Sequence, residues 1–172
     1  DAVRTVCVEV AQGEVLEAVN FNSPGQVVIA GHRSAVERGM VAAKAKGAKR
    51  TLVLPVSVPS HCALMKPAAE KLRSYLGNVA VCASAVPVMH NADVAAYADP
   101  DKIRDALARQ LYSPVRWVET IQAMAGQGVA TVAECGPGKV LAGLNKRING
   151  NMRCIALTDV AALSETKTLF NQ

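Results

Sequence analysis

The chain has 172 residues, of which 51% are hydrophobic, only 3% aromatic and 19% charged, and its formal net charge is +5. That composition excludes an extended disordered protein, and no apolar run approaches the ~20 residues that a membrane-spanning helix needs. The basic residues are scattered and stacking aromatics are few, which argues against nucleic acid and leaves an acidic protein partner or an anionic substrate to account for the charge.

The abundance of Ala and Val suits an α/β protein with close helix–sheet packing. Five cysteines, Cys7, Cys62, Cys82, Cys135 and Cys154, form no C-x-x-C pair, so neither a disulfide framework nor a structural zinc site is expected. A reducing cytoplasm is the simplest setting. The start, Asp1-Ala-Val-Arg-Thr-Val-Cys7, shows no signal peptide and no initiator Met, and reads as a processed or truncated piece.

Taken in chain order, residues 1–11 read as a helix with Asp1 as N-cap and Val3, Val6, Cys7 and Val10 on one face. Strands follow at 14–22 and 26–30, joined by the Ser23-Pro24-Gly25 turn. A helix spans 34–46 and stops at Gly47. A third strand is expected over 49–56. This order fits a split βαβ lobe over residues 1–57 that lacks its first strand.

From Ser60 the pattern changes. Pro67 places a first turn at 60–65 and the main helix at 66–76, ended by Gly77. A strand is expected at 86–89. Asp99-Pro100 opens a helix to about residue 111, and Ser113-Pro114 reads as a second such start for a helix through 125. A strand at 131–134, the Gly136-Pro137-Gly138 turn, a helix at 139–148 and a strand at 153–157 complete the alternation of a parallel sheet.

Several motifs invite chemistry and fail. Gly136-Pro-Gly-Lys139 lacks the remaining P-loop positions: Ala133 stands where the first Gly is needed and Val140 where Ser or Thr follows Lys. Cys62 adjoins His61, but neighbours on a helix point about 100° apart, so Cys62 reads as a small core residue. His32 reads as a solvated or capping group. His90 lies near Asn91 and Asp93 without metal-ligand spacing, so no metal is called. His61, at the end of a β-rich apolar run and before a helical pattern, is the candidate base. On the residues alone, a structural role serves it better.

The run Asn20-Phe-Asn-Ser-Pro-Gly-Gln-Val-Val-Ile-Ala-Gly31 resembles a signature of the malonyl-CoA:acyl carrier protein transacylases of bacterial fatty acid synthesis. Pro55-Val-Ser-Val-Pro-Ser-His-Cys-Ala-Leu-Met65 is similar to their catalytic-histidine segment. Arg104-Asp-Ala-Leu-Ala-Arg-Gln-Leu-Tyr-Ser-Pro-Val-Arg-Trp117 and Glu134-Cys-Gly-Pro-Gly-Lys-Val-Leu141 resemble the family's later helix pair and its strand–helix turn. The match covers about residues 1–148, in order.

The resemblance implies a ferredoxin-like small subdomain over residues 1–57, lacking its first strand, and the C-terminal part of an α/β-hydrolase-like large subdomain over 58–172. It implies ping-pong transfer of malonyl from malonyl-CoA to the phosphopantetheine thiol of acyl carrier protein, without a cofactor. His61 matches the base at the mouth of a cleft, and Gln110 the residue whose main-chain carbonyl orients it. Asn22 and Ser60 match substrate-lining positions. Lys139, Lys146 and Arg147 form the expected patch for an acidic carrier protein.

The family's oxyanion loop, its Gly-His-Ser-Leu-Gly nucleophile and its carboxylate-binding arginine have no match here. They are expected in an N-terminal portion, a partner without which this chain is inactive. The rival readings are a non-catalytic module that binds acyl carrier protein or a partner chain, and a Cys–His hydrolase using Cys62. No nucleic acid and no membrane are expected as partners.

Overall fold

The computed structural model describes residues 2–170, and the Asp1 N-cap lies outside the described residues. The chain is α/β, with helices and small sheets in two compact units. One comprises the chain up to Phe21 with Gln26–Arg116; the other comprises Asn22–Gly25 with the chain from Trp117 on. Among the described residues no helix is long and apolar enough to cross a membrane.

In the first unit, helix α1 (Ala2–Val10) lays Val6 and Cys7 inward, as its helical spacing requires. Strands β1 (Leu16–Ser23) and β2 (Gln26–Gly31) pair in a two-stranded sheet across a turn where Gly25 takes φ +76°. Helix α2 (Arg33–Ala45) packs back onto them. Cys7, Leu16 and Ala35 centre this core, with Val3, Val10, Ile29 and Val36 around them. Gly31 passes so close to the neighbouring backbone that a Cβ there would meet the Val15 oxygen at 2.0 Å. Gly47, at φ +94°, ends α2: Gly47 N–H donates to Lys44 O at 3.1 Å and Ala48 N–H to Ala43 O at 2.9 Å, the paired bonds of a Schellman cap.

The third strand expected at 49–56 does not form. Pro55 and Pro59 sit at the centres of two tight turns, closed by Val56 N–H to Leu54 O and Ser60 N–H to Val58 O, each 2.8 Å. Leu52, Val53 and Val56 stand 58%, 73% and 66% exposed, so strand-forming side chains here have no ladder to join. Likewise, the strand expected at 86–89 shrinks to β3 (Met89–His90), which pairs antiparallel with β4 (Ala95–Ala96), while Val86 and Val88 are exposed.

A 3-10 turn, Ala63–Met65, leads into α3 (Lys66–Leu76), with Pro67 in its first turn where no N–H is missed. Helix α4 (Pro100–Gln110) opens on Asp99, whose carboxylate accepts from Asp101 N–H at 2.8 Å. Ala69, Ala106 and Ala108 are buried, and α3 packs against α4. Arg104 closes the carboxyl end of α3, donating to Leu76 O at 3.1 Å and Val79 O at 3.0 Å.

In the second unit, α5 (Trp117–Gly126) begins later than Ser113-Pro114 suggests, because Val115 is drawn into a parallel bridge with Asn20 before the helix starts. Strands β5 (Thr131–Glu134) and β6 (Arg153–Ala156) are parallel, in register Thr131↔Arg153 to Glu134↔Ala156, with α6 (Val140–Ile148) between them in sequence. Ile121, Leu144 and Met152 are buried, and Trp117 Nε1–H donates to the buried Asn145 Oδ1 at 2.8 Å. A final helix, α7 (Val160–Phe170), was not anticipated. Asp159 Oδ1 accepts from Ala162 N–H at 2.8 Å and caps it.

Candidate active site

His61 sits just past the turn at Pro59 with φ +68°, in the left-handed region that few non-glycine residues occupy, histidine being among the less rare. That conformation turns two donors onto the end of α4. The last turn of α4 is tightened by Leu111 N–H to Ala108 O and Tyr112 N–H to Arg109 O, at 3.3 and 3.1 Å. Beyond it, the carbonyls of Gln110 and Leu111 point out of the helix. His61 N–H donates to Leu111 O at 2.9 Å, and His61 Nδ1 lies 2.8 Å from Gln110 O.

A carbonyl oxygen only accepts, so Nδ1 carries the proton in this contact and Nε2 keeps its lone pair. The Gln110 side-chain nitrogen is 3.4 Å from Nδ1, but two N–H groups cannot bond each other, so the main chain decides the tautomer. Gln110 Oε1 is engaged elsewhere, accepting from Ala92 N–H at 3.2 Å.

Cys62 is completely buried, with Sγ 3.2 Å from Pro59 O, and burial pushes its thiol above the ordinary range. A thiol so placed is a poor nucleophile. His32 stands at the N-cap of α2, where its Nδ1 accepts from Val15 N–H at 3.0 Å. Among the described residues no cluster of three or more His, Cys, Asp or Glu could hold a metal. His61 lines neither of two surface cavities. One, of about 180 Å³, lies among Trp117, Met124, Asn145 and Cys154; the other lies beside Arg38.

No protein-family model matches the chain. A malonyl CoA-acyl carrier protein transacylase of Salmonella typhimurium is 56% identical over 167 residues, which is 97% of this chain and 54% of that relative. The crystal structure of an acyl carrier protein S-malonyltransferase from Vibrio cholerae is 57% identical and superposes with a TM-score of 0.94, over 96% of this chain and 54% of that one. A malonyl-transacylase solved in complex with its type II PKS acyl-carrier protein is 52% identical, TM-score 0.94, over 99% of this chain and 54% of the other. At this identity and superposition the chain matches the C-terminal part of the malonyl CoA-acyl carrier protein transacylases. It spans about half the length of the curated relatives it matches.

Set beside these transacylases, the other sequence-expected positions fall as follows. Ser60, half-buried, precedes His61 in the turn. Asn22 lies half-buried near the end of β1. Lys139 is the N-cap residue of α6, and Lys146 and Arg147 are exposed in its last turn. The helix is capped from outside, since Glu134 accepts from Leu141 N–H at 3.1 Å and Ala142 N–H at 2.8 Å.

One feature near His61 has no local signal in the transacylase-like motifs. Arg109 forks onto Asp93, Nη1 to Oδ1 at 2.6 Å and Nη2 to Oδ2 at 2.8 Å, while its Nε reaches Asp105 at 2.5 Å. Asp105 also accepts from Arg73 at 2.7 Å, and Tyr97 O–H donates to Asp93 at 3.1 Å. Arg109's hydrogen bonds hold both carboxyl groups below the usual carboxylate range. Only the i,i+4 spacing of Asp105 and Arg109 was there to be read in the sequence.

Proposed function

We propose that this chain supplies the general base for transfer of a malonyl group from coenzyme A to the phosphopantetheine thiol of acyl carrier protein. The observation that carries the reading is the 2.8 Å contact of His61 Nδ1 with the Gln110 carbonyl, which leaves Nε2 basic. The kinship with the transacylases supports it. In this reading the serine nucleophile, the oxyanion donors and a carboxylate-binding arginine belong to the part of the relatives' length that this chain does not span.

The chemistry then runs in two proton cycles. Nε2 takes the serine proton as the oxygen attacks the malonyl thioester, and the imidazolium returns it to the departing coenzyme A thiolate. Nε2 next takes the proton of the incoming phosphopantetheine thiol, whose sulfur attacks the malonyl-serine ester. The serine oxygen leaves with the proton, and both partners are restored. Throughout, the Gln110 carbonyl holds the ring in one tautomer and stabilises the transient cation, as an orienting acceptor does in a catalytic triad.

Residues 1–57 act in this proposal as most of a ferredoxin-like subdomain and 58–172 as the C-terminal part of an α/β-hydrolase-like one. The exposed Leu52, Val53, Val86 and Val88 suit burial against the rest of such an enzyme. Asn22 and Ser60 line the acyl site. Lys139, Lys146 and Arg147 meet the acidic carrier protein. Alone, the chain is inactive. In the complete enzyme, His61→Ala should lower malonyl transfer by about 10²–10⁴-fold, the usual worth of a positioned base. Near-normal turnover would overturn the assignment.

A further inference from the structure

The Gln110 carbonyl belongs to the last turn of a helix, where backbone frays unless something outside holds it. Beside the bond from His61 N–H to Leu111 O, two links steady it, and both come from the turn between β3 and β4. Ala92 N–H reaches the Gln110 side chain at 3.2 Å, and Asp93 takes both ends of the Arg109 fork. That turn is itself fixed. Asp93 N–H and Val94 N–H both donate to His90 O, at 3.2 and 2.8 Å, and Val94 is locked at φ +56°. The Tyr97 hydroxyl, one residue past β4, then pins Asp93.

We propose that Asp93, gripping Arg109, is a positioning residue for this reaction: it fixes the end of α4 so that the Gln110 carbonyl stays on His61 Nδ1. The inference rests on His61 being the base. Its logic is mechanical. The guanidinium fork constrains both the separation and the tilt of α4 against the turn, which a single hydrogen bond does not. The pair is well shielded, Asp93 being 17% and Arg109 29% exposed, so screening by salt is weak. Farther out, the Arg73–Asp105 pair is 41% exposed on both sides and touches α4 a full turn earlier. It contributes to packing of α3 on α4 and not to the carbonyl.

The test uses the complete enzyme with Asp93→Asn, Tyr97→Phe and, as a peripheral control, Arg73→Met. Asparagine keeps the size of Asp93 and offers only one acceptor, so the fork opens. Expected for Asp93→Asn is a fall in kcat of about 10- to 100-fold, with KM for malonyl-CoA within about twofold of the parent. Nitrogen NMR with labelled histidine should show the ring proton of neutral His61 moving partly from Nδ1 to Nε2. Tyr97→Phe, which removes a single bond and leaves the fold intact, should change both readouts in the same direction by less. Arg73→Met should leave both at parental values.

A Tyr97→Phe or folded Asp93→Asn enzyme with parental kcat and parental tautomer would overturn the proposal, as would a fall in kcat with the tautomer unmoved. His61→Ala separates the two ideas. If it is inactive while Asp93→Asn behaves as the parent, the positioning role alone fails. If it turns over normally, the base assignment itself is wrong.

Discussion

Glu134 gives a quantitative test of how the second unit is built. It stands at the end of β5, yet its carboxylate caps α6, accepting from the second and third helical N–H groups at 3.1 and 2.8 Å. Lys139, at the N-cap position itself, makes no side-chain cap bond. Replacing a capping acceptor by Ala costs about 1 kcal/mol, and losing a negative charge at a helix N-terminus about 0.3–1 kcal/mol more. Glu134→Ala should therefore cost about 1–2 kcal/mol, and Glu134→Gln, which keeps one acceptor, about half as much. With an m-value of about 2 kcal/mol per molar, the urea midpoint followed by far-UV circular dichroism should fall by roughly 0.5–1 M for Ala. Added salt should narrow the gap between Gln and parent, because only the charge-dependent part is screened. A Glu134→Ala midpoint within about 0.1 M of the parent would refute the capping argument.

Other outcomes follow from the same structure. Reversing Lys146 and Arg147 together should raise KM for acyl carrier protein, more so at low salt, and leave malonyl-CoA hydrolysis unchanged; an equal loss in both would remove the docking role. Asp93 and Asp105 have lowered folded-state pKa values, so their contribution to stability is complete above the ordinary value of 3.8 and is lost as pH falls through the lower folded ones. Acid titration of stability should accordingly be shallower below about pH 4 for Asp93→Asn than for the parent. Exposed Cys82 and Cys135 should react rapidly with iodoacetamide while buried Cys7 and Cys62 stay protected until unfolding; early labelling of Cys62 would contradict its burial.

The sequence was most informative where a signal is local and chemically specific. Asp99-Pro100 opens α4, Gly47 closes α2, and β5 occupies 131–134 as its alternation implies. It is ambiguous where apolar, β-branched residues have no strand partner. Residues 49–56 are strand-like in composition, but Pro55 and Pro59 impose tight turns and no neighbouring strand among the described residues takes up their backbone. Helix α5 starts late because of a long-range bridge to Asn20, which no window around Ser113 contains. Helix α7 has a capping signal in Thr158-Asp159, where Asp159 Oδ1 accepts from Ala162 N–H. At the site, the contact of His61 with Gln110 follows from motif resemblance. The Asp93–Arg109 fork joins residues 16 apart and leaves no trace in either local pattern.

His61 holds a backbone shape that glycine or asparagine adopts more readily. Its N–H bond to Leu111 O asks nothing of the side chain. The two demands on this position can therefore be selected apart. A library varied at residue 61 and sorted for thermal resistance alone should drift toward glycine or asparagine. Sorted for turnover, it should return to histidine.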